Sequence, residues 1–143
     1  MRAIITGSIL GKMGTFNTKG IENGNKFRVI IIPFIIPFDI KRMFYMYEVP
    51  CGAMRGDHAH KKHEQFIIAM GGSLRVELDD GKNVEECGLF SPAYGLYVPP
   101  MTWTRVYFNG PTSQVCTVLT SGHYEEDDYI RDYDEFVRMA KDD

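Results

Sequence analysis

Three of the chain's four histidines, His58, His60 and His63, fall within a six-residue span, and Glu64 follows directly. Imidazole, with an unperturbed pKa near 6.5, can take or give a proton at neutral pH, and its neutral form binds metal ions. His58 and His60 are two positions apart, so on a strand both side chains share a face. Two imidazoles and a carboxylate so placed suit two chemistries. One is a metal held by His58, His60 and Glu64. The other is general acid–base catalysis without an ion, in which one imidazole removes a proton beside a carbonyl and the other orients it or returns a proton. On a strand His63 would face away from the first two, which makes it a poor third ligand.

The elements that must hold these residues read as short strands. Phe27–Ile32 is a β-branched run, and Pro33 and Pro37 bracket a loop or edge after it. Met43–Val49 is aromatic and β-branched, with Lys41 and Arg42 at its mouth. Gln65–Met70 follows the histidines, and Gly71-Gly72 is a turn. Ser73–Leu78 alternates polar and apolar residues, the period of a half-buried strand. Asp80-Gly81 and Asn109-Gly110 are hairpin signals among further strands at Asn83–Cys87, Gly95–Val98, Trp103–Phe108 and Gln114–Thr120. This pattern predicts an all-β fold, an antiparallel β-sandwich or barrel. Only the C-terminus reads as helix. Asp132 can cap it, Asp134 and Glu135 suit its first turn, Arg138 and Lys141 suit its end, and Phe136, Val137 and Ala140 form an apolar face.

At 143 residues the chain is expected to be one domain, residues 1–143, and its 44% hydrophobic content supports an ordinary core. A net charge of −3 gives no general attraction to nucleic acid or an anionic membrane. The apolar run Val29–Phe38 is too short to span a bilayer and is broken by two prolines. Ala3–Leu10 makes a poor signal peptide. Cys51, Cys87 and Cys116 have neither metal nor redox spacing, which suggests free thiols and a cytoplasmic location. The early glycines, from Gly7 to Gly24, do not introduce a helix pattern and do not read as a phosphate loop.

The spacing Gly52-x5-His58-x-His60-x3-Glu64-x6-Gly71 resembles the first motif of the cupin superfamily at every position. That resemblance implies a jelly-roll version of the sandwich. Metal-binding cupins usually take another histidine from a second motif. In the corresponding stretch, Gly95 to Thr104, Pro99 and Pro100 are present but Thr104 stands where that histidine would be.

Longer blocks are more specific. Arg55-Gly-x-His-Ala-His-Lys61, Glu64-Gln65, Gly72-Ser-x-Arg-Val-x-Leu-Asp-Asp-Gly81, Leu96-Tyr-Val-Pro-Pro-x-x-Trp103 and Asp128-Tyr-Ile-Arg-x-Tyr-Asp-x-Phe136 resemble the sugar-nucleotide 3,4-ketoisomerases. The resemblance runs from about Phe38 to Phe136. It implies a homodimer without metal or other cofactor, acting on dTDP-4-keto-6-deoxyglucose. The enzyme would move the ketone from carbon 4 to carbon 3 ahead of a 3-aminotransferase, for surface glycans such as O-antigen. Two features depart from the pattern. The N-terminal Asp-x-Arg-Gly-x-Leu segment has only Gly11-Lys-Met-Gly-Thr-Phe16 as its counterpart, and Thr104 replaces a histidine many members carry after the tryptophan.

The expected roles follow. His58 is the base and His60 its partner acid or orienting group. Tyr45 resembles the family's active-site tyrosine. Arg42 and Arg55 are expected to fork onto the pyrophosphate, because guanidinium matches phosphate oxygens. Lys61 and Lys62 are weaker candidates, and at least one of them reads as a solvated lysine. Trp103 either stacks on thymine or fills the core. Tyr129 and Tyr133 either shape the pocket or pack the C-terminal helix, with packing the favoured reading, and Glu125–Asp128 is expected to form a solvated turn. The length of the apolar run Val29–Phe38 also favours pairing of two copies. The competing readings are a dTDP-sugar 3,5-epimerase, a metal-dependent small cupin enzyme and a non-catalytic sugar-binding cupin. The sequence leaves open the product configuration at carbon 4, the identity of the nucleotide and the roles of His63 and His123.

Overall fold

The computed structural model describes residues 28–31, 36–111 and 113–142. The early glycines and the Gly11–Phe16 segment lie outside them. Ten strands, all antiparallel to their neighbours, form two five-stranded sheets among the described residues. They are β1 (Arg28–Ile31), β2 (Arg42–Met46), β3 (Ala53–His60), β4 (Gln65–Gly71), β5 (Leu74–Asp79), β6 (Val84–Leu89), β7 (Tyr94–Val98), β8 (Trp103–Phe108), β9 (Val115–Thr120) and β10 (Tyr129–Ile130). The first sheet runs β1-β7-β4-β9-β2 and the second β10-β3-β8-β5-β6. This is the expected cupin-type sandwich.

The main core lies between the sheets. Leu74, Val76 and Leu78 of β5 face Ile67, Ala69, Leu96, Val98, Cys116 and Val118 of the first sheet. The alternation read in Ser73–Leu78 therefore marks a strand with one buried face. β4 is buried without alternation because both its faces are covered. Phe66 and Ile68 point out of the sandwich and are capped by Ile36 and Phe38 of the same chain. Part of the long apolar run thus covers its own sheet.

A second cluster closes the outer face of the second sheet. It joins Ala59, Trp103 and Ile130 to Phe136 and Ala140 of the helix α1 (Tyr133–Asp142). Asp132 caps this helix as expected, its Oδ1 accepting the Glu135 N–H at 2.8 Å. Ala59 packs toward the helix, so by strand alternation His58 and His60 point the other way, into the sandwich.

Candidate active site

His58 gets its geometry from an irregularity in β3. His58 pairs with Thr104 and Gly56 with Arg105, so Asp57 is an extra residue, a β-bulge. Gly56 and Asp57 both have positive φ, 84° and 59°. Only glycine fits at the first of these, where a Cβ would stand 2.8 Å from the Thr104 carbonyl oxygen. The bulge turns the Gly56 carbonyl back toward the imidazole, 3.0 Å from His58 Nδ1. A carbonyl only accepts, so Nδ1 carries the hydrogen and Nε2 keeps a lone pair. Burial, then the neighbouring His60, pulls the His58 pKa down to about 4, so the ring is neutral at pH 7.

His60 is held at both nitrogens. Its Nδ1–H donates to Asp128 Oδ2 at 2.8 Å, and its Nε2 lies 3.0 Å from the Gln65 amide nitrogen, a donor from the opposite sheet. Its ring sits edge-on to His58, with centroids 5.1 Å apart. Burial lowers its pKa, opposed by Asp128. Asp128, whose side chain is 0% exposed, also accepts the Lys62 N–H at 2.8 Å and lies 3.0 Å from His63 Nδ1. Burial pushes the Asp128 carboxyl up, but the Lys62 N–H and the histidines outweigh it and leave its pKa lowered.

Several expectations change here. The Glu125–Asp128 run is not simply a solvated turn. A 3-10 turn at Glu126–Asp128 buries Asp128 beneath the histidines, while Glu125 pairs with Lys62 at the surface. β3 ends at His60, so His63 is not on that strand. The chain turns back and stacks its ring 6.4 Å from that of His60. Tyr129, expected to pack against the helix, pairs with His60 across β10 and β3, its ring 4.4 Å from His60 and 4.9 Å from His58. No sequence signal ties Asp128 or Tyr129 to the histidines. Their contacts are made by a two-residue strand from the far end of the chain.

The other expected site residues are scattered. Arg42 faces inward on β2, its guanidinium 4.7 Å from the Phe44 ring and 5.5 Å from that of Tyr124, and its charge acts on His60. Tyr45 points outward from the same strand, 58% exposed beside Tyr47, and is not brought to the histidines. Arg55 is exposed on β3 and donates to the Met54 carbonyl. Lys61 is exposed next to the histidines. Trp103 is only 2% exposed, packed in the second core cluster, so its ring is occupied by protein. Tyr133 packs on Trp103 and donates its hydroxyl to Asp79.

The grouping that could hold a metal also differs from expectation. Glu64 accepts the Tyr97 hydroxyl at 2.6 Å, and buried Thr104 donates to the Thr102 carbonyl. His60, His63 and Asp128 instead offer three ligand atoms within 4.8 Å of one another, with Asp128 already hydrogen-bonded to His60 and 3.0 Å from His63. No helix among the described residues is long and apolar enough to cross a membrane.

A curated TDP-4-oxo-6-deoxy-alpha-D-glucose-3,4-oxoisomerase from Aneurinibacillus thermoaerophilus is 48% identical over 103 residues, covering 72% of this chain and 73% of that protein. Among solved structures, QdtA, a sugar 3,4-ketoisomerase from Thermoanaerobacterium thermosaccharolyticum in complex with TDP, matches with a TM-score of 0.76 and 33% identity over 81% of this chain and 95% of that chain. A 3,4-ketoisomerase from Helicobacter canadensis matches with a TM-score of 0.76 and 34% identity over 81% of this chain and 98% of that one. Residues 14–141 match the family described as FdtA: WxcM-like, C-terminal, and the chain belongs to that family.

Proposed function

We propose that this chain is a sugar-nucleotide 3,4-ketoisomerase that converts dTDP-4-keto-6-deoxyglucose to a dTDP-3-keto-6-deoxyhexose, in the biosynthesis of 3-amino-3,6-dideoxy sugars. The observation that carries the reading is His58, a neutral imidazole whose Nδ1–H is engaged by the Gly56 carbonyl and whose Nε2 lone pair is left for substrate. The hydrogen on carbon 3 is acidic because it lies beside the carbon 4 ketone. His58 Nε2 takes it, and an enediol forms across carbons 3 and 4 as oxygen 4 gains a proton. Loss of the oxygen 3 proton and delivery of a proton to carbon 4 complete the isomerisation, with no net change in protons.

His60, fixed between Asp128 and Gln65 with its ring edge-on to His58, orients this site. Tyr129 supplies a phenol beside both rings, the role expected of Tyr45. Arg42, Arg55 and Lys61 are the cations available to the pyrophosphate. A pyrophosphate bound beside them raises the His58 pKa from its low value, because opposite charge favours the imidazolium, so the base strengthens when substrate is present. The family and the activities of its 48% and 33% identical relatives support the substrate class.

A homodimer is supported by Met43, Tyr45 and Tyr47, 58–60% exposed on and just beyond the sheet-edge strand β2. Three free cysteines and a nucleotide-sugar substrate support a cytoplasmic location.

Incubation with dTDP-4-keto-6-deoxyglucose in heavy water, followed by proton NMR, tests the activity. A ketoisomerase places deuterium at carbon 4 of a 3-keto product. Deuterium at carbon 5 would assign a 3,5-epimerase, and no exchange at any sugar carbon would leave a binding protein.

A further inference from the structure

His58 faces into the sandwich, but the residue before it is held from the outside. Asp57 Oδ1 accepts two hydrogen bonds on the outer face of the sheet, from the Trp103 indole N–H at 3.0 Å and from Arg105 Nε at 2.8 Å. Both donors are anchored. Trp103 is buried under the helix α1, and Arg105 Nη1 donates to Glu77 on β5 at 2.6 Å. The carboxylate is thus tied to two neighbouring strands through side chains that have holds of their own. Arg105 and Trp103 also keep the Asp57 carboxyl ionised. Burial acts against this, and the two donors outweigh it.

The need for such a tie is visible in the backbone. A non-glycine residue at positive φ costs about 1–3 kcal/mol and persists only where its surroundings enforce it. Asp57, at φ 59°, is such a residue. A bulge that relaxed into regular ladder would slip β3 by one position against β8 and turn His58 toward the outer face. A partial relaxation would withdraw the Gly56 carbonyl from Nδ1, and the hydrogen would be free to move to Nε2.

The geometry points to Asp57 as a positioning residue: its carboxylate, clamped by Trp103 and Arg105, holds the bulge that presents His58 with Nδ1 protonated and Nε2 free. Its effect on turnover rests on the ketoisomerase reading, whereas its effect on the resting imidazole does not. Asp57 touches no reacting atom and acts only through His58.

The test compares Asp57→Asn with Asp57→Gly. Both residues tolerate left-handed backbone, but only asparagine keeps an oxygen for Trp103 and Arg105. The readout is the nitrogen NMR shift of His58 in histidine-labelled protein without substrate, assigned with His58→Asn. Wild type and Asp57→Asn are expected to show a bare Nε2 and a protonated Nδ1. In Asp57→Gly the Nε2 signal moves toward its protonated position. Turnover then falls by about tenfold or more with KM within a few-fold, short of the ~10⁴ that a fully wrong tautomer costs a serine protease. Wild-type nitrogen shifts in Asp57→Gly would overturn the clamp. A displaced tautomer with unchanged kcat would overturn its role in turnover. If Asp57→Gly fails to fold by circular dichroism, Arg105→Gln removes one donor without touching β3 and carries the same outcomes. If the wild type does not convert a 4-keto sugar, the functional reading fails, and the resting nitrogen shifts still decide the clamp.

Discussion

The pKa of His58 near 4 has two consequences at the residue scale. The first concerns stability. An unfolded chain protonates this imidazole near pH 6.5, whereas the folded one does so only near 4, so the unfolded state binds more protons between those values. The contribution is fully present above pH 6.5 and is lost as pH falls toward 4, by about 3 kcal/mol in all. Urea melts of wild type and His58→Asn at pH 7 and pH 4.5 check this, because the variant lacks that part of the acid loss. The second concerns catalysis. His58→Asn is expected to lower kcat by about 10²–10⁴ while leaving dTDP affinity within a few-fold, as titration calorimetry would show. More than a tenth of wild-type turnover in the variant would move the base elsewhere. The placing of His58 and His60 side by side was legible in their spacing, and their rings lie 5.1 Å apart. Asp128 was not, because it stands 68 residues from His60 and only tertiary structure makes an acidic run into a histidine partner.

Elements with a strong local signal matched their reading. Asp80-Gly81 turns β5 into β6, with Asp79 and Asp80 carboxylates accepting the N–H groups of Gly81, Lys82 and Asn83. The helix α1 starts behind Asp132. Orientation was less legible. Met43–Tyr47 is an unbroken run of methionines and aromatics, so its pattern cannot say whether Tyr45 or Phe44 faces inward, and the structure turns Phe44 and Met46 in. His63 was misplaced because nothing local marks the end of β3 at His60. The helix does more than cover a sheet. Phe136, fully buried, touches the Trp103 ring at 5.5 Å, and Trp103 in turn holds Asp57. Phe136→Ala is expected to cost about 3–5 kcal/mol in a denaturant melt, the range for deleting a buried phenyl group. A loss below about 1 kcal/mol would show that the helix is not a structural back plate for this cluster.

For the whole molecule, the strands at the sheet edges among the described residues are β1, β2, β6 and β10. The expectation of a dimer rested on the family resemblance and on the run Val29–Phe38, but within that run Ile36 and Phe38 are spent inside the subunit, over Phe66 and Ile68. The exposed Met43, Tyr45 and Tyr47 are the better reason to expect one. Sedimentation at micromolar concentration is expected to give twice the 16.3 kDa chain mass. Tyr45→Glu is expected to weaken association by about tenfold or more, as loss of a central aromatic anchor does. A wild-type protein that stays at 16.3 kDa would exclude the dimer.

The pairing of β10 with the end of β3 also sets an order in time. A ribosome adding about 5–20 residues per second releases the histidines several seconds before Asp128 and Tyr129, 68 and 69 positions behind His60, are even made. Until then the histidines have no Asp128 behind them, and the end of β3 has no β10 beside Ala59. The surroundings of His58 and His60 are therefore completed only once β10 has been made, long after the histidines themselves.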